Sequence, residues 1–166
     1  FINKKKFRTF LKKNITLSSR MFKNDYDFSD QYSCVITGSD QVWNYIVTGD
    51  ENTFLLDFVG ESTLKCSYAA SFGVENIPDA HVDRYAKLLS KIDMISVREK
   101  SGVKLVDQLI NKTPELVLDP TLLINKDEWF KLSHSNTKTQ QYILIYVIVE
   151  SETLFNFAKE LSQTTG

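Results

Sequence analysis

The sequence predicts an α/β fold built on a parallel sheet. Between Ser33 and Ile148, short apolar runs rich in β-branched residues alternate with segments whose apolar residues recur at helical spacing. This alternation is typical of parallel strands joined by helical crossovers. The composition agrees, because 42% of the 166 residues are hydrophobic and 25% are charged. Disordered, collagen-like and coiled-coil classes are therefore excluded, and no apolar run is long enough to cross a bilayer.

Six segments have the length and composition of strands, and none contains an internal proline. In chain order they are residues 33–37, 54–58, 66–70, 94–97, 116–118 and 142–149. The segment 54–58 carries the weakest strand signal.

Four further segments have helical periodicity. They are residues 79–91, 99–110, 126–132 and 152–162. In the first of them Tyr85, Leu88 and Leu89 share one face, as in an amphipathic helix that packs on a sheet.

The polar stretch 133–139 is the best candidate for a linker. We therefore expect residues 1–135 to form an N-terminal Rossmann-like domain that is incomplete at its start. Residues 136–166 would supply the first strand and helix of a truncated C-terminal Rossmann-like domain. Because residue 1 is Phe and the chain stops at Gly166 after a predicted helix, we expect a piece of a longer protein.

Charge is unevenly distributed along a chain whose formal net charge is −1. Residues 1–23 contain eight basic and no acidic residues, which leaves a charge of −9 on the remainder. The near-neutral total argues against a nucleic-acid partner. With Phe7, Phe10 and Leu11 at helical spacing, the basic opening either contacts anionic lipid head groups or presents a solvated face.

The cysteines and histidines indicate no metal centre. Cys34 and Cys66 lie in apolar runs, as reduced and buried thiols do, and no cleavable secretory signal is present. His81 and His134 have no neighbours at metal-ligand spacing, so both are predicted to be surface residues. A cytoplasmic location is the expectation.

Polar residues follow four of the predicted strands at the points where those strands end. Ser39 and Asp40 follow the first, Ser71 follows the second, Arg98 the third and Asp119 the fourth. The carboxyl ends of parallel strands share one edge of a sheet, and ligands bind at that edge in open α/β folds. We therefore predict that the four loops converge on one crevice.

Two of these residues, Arg98 and Asp119, each have one clear ligand-binding interpretation and one clear structural interpretation. Arg98 presents a planar five-donor fork suited to carboxylate or phosphate, or it pairs with the neighbouring Glu99. Asp119 is held extended by Pro120, so its carboxylate either orients a hydroxyl or caps the next turn.

The residues of the other two loops can also be explained by local structure alone, without a ligand. Gly38 permits a tight turn, after which Ser39 or Asp40 either caps a helix or leaves backbone N–H groups to hold an anion. The Ser71 loop either approaches a ligand closely or forms a turn. Trp43 is a core residue or stacks on a sugar ring.

In order along the chain, the four loops resemble the motifs of the polysaccharide pyruvyl transferase family. The segments are ITGSDQVWN at 36–44, YAASFG at 68–73, ISVREKSG at 95–102 and VLDPTLL at 117–123. The resemblance spans residues 27–129 and implies a two-domain fold similar to GT-B glycosyltransferases.

The activity that the resemblance implies is transfer of a pyruvyl group from phosphoenolpyruvate to two sugar hydroxyls, forming a ketal in a bacterial exopolysaccharide or capsule. Arg98 matches the family's Arg-Glu motif and is expected to bind phosphoenolpyruvate, with no other cofactor. Ser39, Asp40, Ser71 and Asp119 match loops that position substrate. The acceptor would be a sugar or a lipid-linked oligosaccharide, in the cytoplasm or at the inner face of the membrane.

The sequence departs from the family pattern in one respect. Family members continue through a second domain that carries a catalytic His motif, which neither His81 nor His134 matches, so the catalytic residue is unassigned. The chain alone is therefore expected to be inactive. The competing functions are a GT-B glycosyltransferase that uses a nucleotide sugar, and a non-catalytic remnant that binds carbohydrate or protein.

Overall fold

The computed structural model describes residues 4–16, 32–132 and 142–165. The chain divides into two compact units, residues 1–123 and residues 124–166. Helices and parallel strands alternate in the first unit, which confirms the predicted α/β class.

The described helices are α1 (Lys4–Asn14), α2 (Tyr45–Thr48), α3 (Asp79–Leu89), α4 (Lys100–Ile110), α5 (Lys126–Leu132) and α6 (Glu152–Thr165). The described strands are β1 (Cys34–Thr37), β2 (Leu64–Ser67), β3 (Ser96–Val97) and β4 (Glu115–Leu116). Two 3₁₀ turns lie at Thr53–Leu55 and Pro120–Leu122. The four predicted helices are confirmed, with ends that shift by at most three residues.

The four strands run parallel and neighbour one another in the order β1, β2, β3, β4. β1 pairs with β2, and β3 pairs with β4. The two pairs are joined by single parallel bridges, Cys66 to Met94 and Ala70 to Val97. All four carboxyl ends consequently lie at the same edge, where the predicted site residues follow.

The core lies where α3 and α4 pack beside the sheet. The predicted inward face of α3 is confirmed, since Tyr85, Leu88 and Leu89 are all buried. Trp43 is 1% exposed, and its indole N–H donates to the Phe54 carbonyl at 3.0 Å. Trp43 is therefore a core residue, as the plainer of the two readings holds, and not a platform for a sugar ring.

The predicted strand at 54–58 is wrong. Thr53–Leu55 forms a 3₁₀ turn, and Leu56 follows with φ of +58°. Local hydrogen bonds close the segment, including Leu56 N to Thr53 O at 3.0 Å. This turn buries three apolar side chains, Leu55, Leu56 and Val59. The apolar composition of the segment therefore reflects burial and does not indicate a strand.

The predicted strand at 142–149 is also wrong. None of these residues is in a strand, and Leu144, Tyr146 and Ile148 are each more than 80% exposed. A β-strand needs a hydrogen-bonding neighbour, and no described segment pairs with this one. The predicted strand at 66–70 is shifted to Leu64–Ser67, because Ala69 has φ of +51° and interrupts the ladder.

The proposed linker at 133–139, the boundary at 135–136 and His134 lie outside the described residues. His81 is not a plain surface residue, since its ring stacks on Tyr45 with centroids 5.1 Å apart and Nδ1 lies 3.9 Å from Asp50. None of the helices in the described ranges has the length and apolar character needed to span a bilayer.

Both cysteines are free, and their Sγ atoms lie 3.7 Å apart across β1 and β2. Cys66 is buried as predicted, whereas Cys34 is half-buried. Burial, together with the hydrogen bond between the Cys66 and Cys34 thiols, raises the pKa of the Cys66 thiol to about 11. The Cys66 thiol is therefore protonated at neutral pH and a poor nucleophile.

Candidate functional site

The four polar loops meet at the carboxyl edge of the sheet, as the sequence predicts. Backbone hydrogen bonds tie each loop to the next. They run from Tyr68 N to Thr37 O (2.9 Å), from Ser71 N to Asp40 O (3.2 Å), from Arg98 N to Ala70 O (3.2 Å) and from Val117 N to Val97 O (3.0 Å). The backbone itself thus sets the spacing between the candidate side chains.

Asp119 is the centre of the side-chain cluster. Its Oδ2 accepts hydrogen bonds from the Ser39 hydroxyl at 3.1 Å and from Arg98 Nη1 at 3.0 Å. Its Oδ1 accepts from the amide and the hydroxyl of Thr121, at 3.0 and 2.7 Å. One carboxylate therefore joins the loops after β1, β3 and β4, and it also caps the 3₁₀ turn Pro120–Leu122. The cap reading of Asp119 is therefore confirmed, while a role in orienting a substrate hydroxyl stays a prediction.

Arg98 is held between two carboxylates. Nε donates to Glu99 Oε1 at 3.0 Å, while Nη1 donates to Asp119. The predicted ion pair between Arg98 and Glu99 is therefore present in the structure. Across the described part of the chain, no residue accepts a hydrogen bond from Nη2. The Arg98 side chain is 27% exposed, so its fork is reachable from solvent.

Gly38 determines where Ser39 is placed. It has φ of +132°, and a Cβ on this residue would lie 2.0 Å from the Tyr68 carbonyl oxygen. Only glycine lets β1 pass this close to the chain after β2. The close approach carries the Ser39 hydroxyl to Asp119.

Asp40 and Ser71 form a second part of the same edge. Asp40 is exposed, and its carboxylate accepts from the Gln41 amide at 2.8 Å. Ser71 is fully buried, and its hydroxyl accepts from the Gly73 amide at 3.0 Å. Neither side chain bonds to Arg98 or Asp119 in the described structure. Ser71 therefore supports the loops from within the protein.

The helix-cap reading of Ser39 and Asp40 is wrong, because the helix that follows them, α2, begins at Tyr45. Its N-cap is Asn44, whose side chain accepts from the Ile46 amide at 2.9 Å. Asn44 also donates to Gln41 Oε1 at 2.7 Å. With the cap placed at Asn44, Ser39 and Asp40 are left at the sheet edge.

The electrostatics of the cluster favour an ionised Asp119. The Thr121 hydroxyl and amide, followed by Arg98 and Ser39, hold the pKa of the Asp119 carboxyl well below its usual range. Hydrogen bonds from Arg98 to Glu99 and Asp119 raise the pKa of the Arg98 guanidinium above its ordinary value. At neutral pH Asp119 is thus an acceptor and has no proton to donate.

Thr121 is the residue that sequence reasoning missed. It supplies two of the four hydrogen bonds to Asp119, which orient the carboxylate so that Oδ2 faces Ser39 and Arg98. The signal was present, because Asp-Pro-Thr is a pattern in which the Asp side chain bonds two residues ahead.

Replacing Asp119 with Asn is expected to make the free energy of unfolding less dependent on pH in the acidic range. A carboxylate with a depressed pKa stabilises the fold above its unfolded pKa of 3.8, and this contribution is lost as pH falls below that value. Urea unfolding should show Asp119→Asn less stable than the wild-type chain at pH 7, with the gap narrowing towards pH 2. Asp107→Asn, on the exposed face of α4, is the control and should follow the wild type. An equal gap at both pH values contradicts this assignment.

The family model described as polysaccharide pyruvyl transferase matches residues 1–164, nearly the whole chain. Comparisons with curated proteins and with solved structures gave no match.

Proposed function

Since this chain belongs to the polysaccharide pyruvyl transferase family, we propose that it takes part in transferring a pyruvyl group from phosphoenolpyruvate to two hydroxyls of a polysaccharide sugar. One observation carries the proposal: Ser39 and Arg98, from separate loops, both bond to Oδ2 of Asp119. This arrangement sets a cationic fork beside an ionised acceptor and a hydroxyl. A donor with a carboxylate and a phosphate, and an acceptor with hydroxyls, need these groups together.

The reaction balances without a cofactor or an oxidant. A general acid protonates the methylene carbon of phosphoenolpyruvate, which makes the central carbon electrophilic. One sugar hydroxyl attacks that carbon, the C–O bond to phosphate breaks, and the second hydroxyl closes the ketal. Of the two hydroxyl protons, one balances the proton now in the methyl group and the other leaves with phosphate. The protein's tasks are therefore to supply an acid, to neutralise charge and to position the groups.

In this scheme Arg98 binds the donor through Nη2, which bonds to no residue in the described ranges. Because Glu99 and Asp119 already face Arg98, the three side chains carry a formal charge of −1. An anionic donor needs further positive charge, and we propose that Lys100, exposed at the first position of α4, supplies it.

The ionised Asp119 orients a sugar hydroxyl as an acceptor, and Ser39 extends the same hydrogen-bonding surface. Asp40 is exposed at the neighbouring loop and contacts substrate in this account. Ser71 positions the Asp40 loop through its backbone, because its burial keeps the hydroxyl from substrate. Asp119 is not the general acid in this scheme, since its depressed pKa leaves it without a proton to donate.

We further propose that the chain supplies most of an N-terminal Rossmann-like domain of a GT-B-like, two-domain enzyme. The parallel order of β1 to β4 and the separate unit at 124–166 support this. The general acid would come from a His motif in the second domain. We place the reaction in the cytoplasm, which the two free thiols support.

The test is a comparison of donors with the intact enzyme and an oligosaccharide acceptor. We expect phosphoenolpyruvate to yield phosphate and a ketal methyl signal in the NMR spectrum of the product, in equal amounts. Transfer of sugar from a nucleotide sugar would instead identify a glycosyltransferase. Binding of the acceptor with no reaction from either donor would identify a non-catalytic remnant.

A further inference from the structure

Helix α1 is the most strongly charged element of the described chain. Six of its eleven residues are Lys or Arg, and none is acidic. The basic residues are Lys4, Lys5, Lys6, Arg8, Lys12 and Lys13. They occupy both flanks and the far side of the helix, so the positive charge surrounds one remaining face.

That remaining face is apolar. Phe7, Phe10 and Leu11 recur at intervals of three and four residues, which puts them in one stripe along α1. Ile15 continues the stripe, because its amide donates to Leu11 O at 2.9 Å and extends the helical turn. The two phenylalanines and Ile15 are between 40% and 55% exposed.

The stripe is not covered within the described ranges. No residue of α1 is buried, and none of the described strands and helices makes an extensive contact with it. An isolated helix of about eleven residues is marginal in water, and most helices in proteins are stabilised by packing of an apolar face. The apolar face of α1 thus has no extensive partner among the described elements.

We propose that α1 lies on an anionic lipid surface, with its apolar stripe in the acyl boundary and its basic side chains among the head groups. Aromatic residues on one side and cations around them are the composition of helices that lie in a membrane interface. Positive charge along the whole of α1 is complementary to an extended anionic surface, which an anionic bilayer presents. The inference depends on α1 alone and is independent of the proposed transferase activity.

Co-sedimentation with vesicles tests the proposal. The chain is mixed with vesicles of phosphatidylcholine alone, and with vesicles that also contain phosphatidylglycerol as the anionic lipid. We expect binding only to the anionic vesicles. Raising the salt concentration from about 0.1 M to about 1 M should release the chain, since the Debye length falls from about 10 Å to about 3 Å.

Two double variants test the apolar stripe and the basic residues of α1 separately. Phe7→Ser with Phe10→Ser removes the apolar stripe, and Lys12→Glu with Lys13→Glu reverses part of the charge. Each is expected to lower the partition coefficient at least about tenfold. Matched controls are Phe130→Ser, an exposed aromatic of α5, and Lys104→Glu, exposed on α4, which should both bind like the wild type. Near-ultraviolet circular dichroism of the buried Trp43 checks that each variant is folded.

Three results would overturn the proposal. The first is equal binding to neutral and anionic vesicles, or none to either. The second is wild-type binding by the double phenylalanine variant. The third comes from sedimentation velocity without vesicles: a wild-type dimer that Phe7→Ser with Phe10→Ser converts to a monomer would show that a second copy of the chain covers the stripe.

Discussion

Replacing Arg98 with Gln is expected to lower kcat/KM for phosphoenolpyruvate about 100-fold in the intact enzyme, equivalent to about 2.7 kcal/mol of transition-state stabilisation. Gln retains some hydrogen bonding but has neither the charge nor the planar fork of Arg. Arg98→Lys keeps the charge and loses the fork, so we expect a loss of about tenfold. Initial rates at varied donor and fixed acceptor concentrations measure both effects.

The role of Arg98 follows from which Michaelis constant changes in the Arg98→Gln variant. We expect KM for the donor to rise while KM for the acceptor stays nearly constant. Lys104→Gln removes one positive charge from the exposed face of α4 and should leave both constants unchanged. If Arg98→Gln raised KM for the acceptor as much as KM for the donor, Arg98 would be holding the loops together and not binding the donor.

Replacing Gly38 with Ala is expected to cost about 4 kcal/mol in the free energy of unfolding. The added Cβ would stand 2.0 Å from the backbone oxygen of Tyr68, which cannot move without shifting the chain after β2. Positive φ adds further strain at this position. Urea denaturation followed by circular dichroism measures the change.

Gly49 provides the matched control. It also has positive φ, but a Cβ there would meet no atom within 4 Å. Gly49→Ala should therefore cost only the conformational strain, about 2 kcal/mol. Equal losses from the two variants would mean that the close approach of β1 to Tyr68 contributes nothing, and that Ser39 is not placed by it.

The sequence predicts helices of this chain better than its strands, for a physical reason. An amphipathic helix such as α3 bonds within itself and shows its buried face in the spacing of Tyr85, Leu88 and Leu89. A strand depends on a neighbour that a local pattern does not reveal. Residues 54–58 and 142–149 both have strand composition, yet the first coils locally and the second has no described partner.

The candidate site is predictable in its location and less so in its contacts. Convergence of the loops follows from the topology of a parallel sheet, so Arg98 and Asp119 could be placed at one edge before the structure was known. That Asp119 would use one oxygen for Thr121 and the other for Ser39 and Arg98 depends on side-chain geometry across 80 residues of sequence. Ser71 is buried because of tertiary packing. The local sequence gives no sign of that packing, because Ser71 is a polar residue in a loop motif.

The most direct test of the account is calorimetric titration of phosphoenolpyruvate into the intact enzyme, its Arg98→Gln variant and its Lys104→Gln variant. We expect one donor site per chain, with affinity at least about tenfold weaker in Arg98→Gln and unchanged in Lys104→Gln. Equal affinity for all three proteins, or binding of a nucleotide sugar in place of phosphoenolpyruvate, would contradict the assignment of this sheet edge as the donor site.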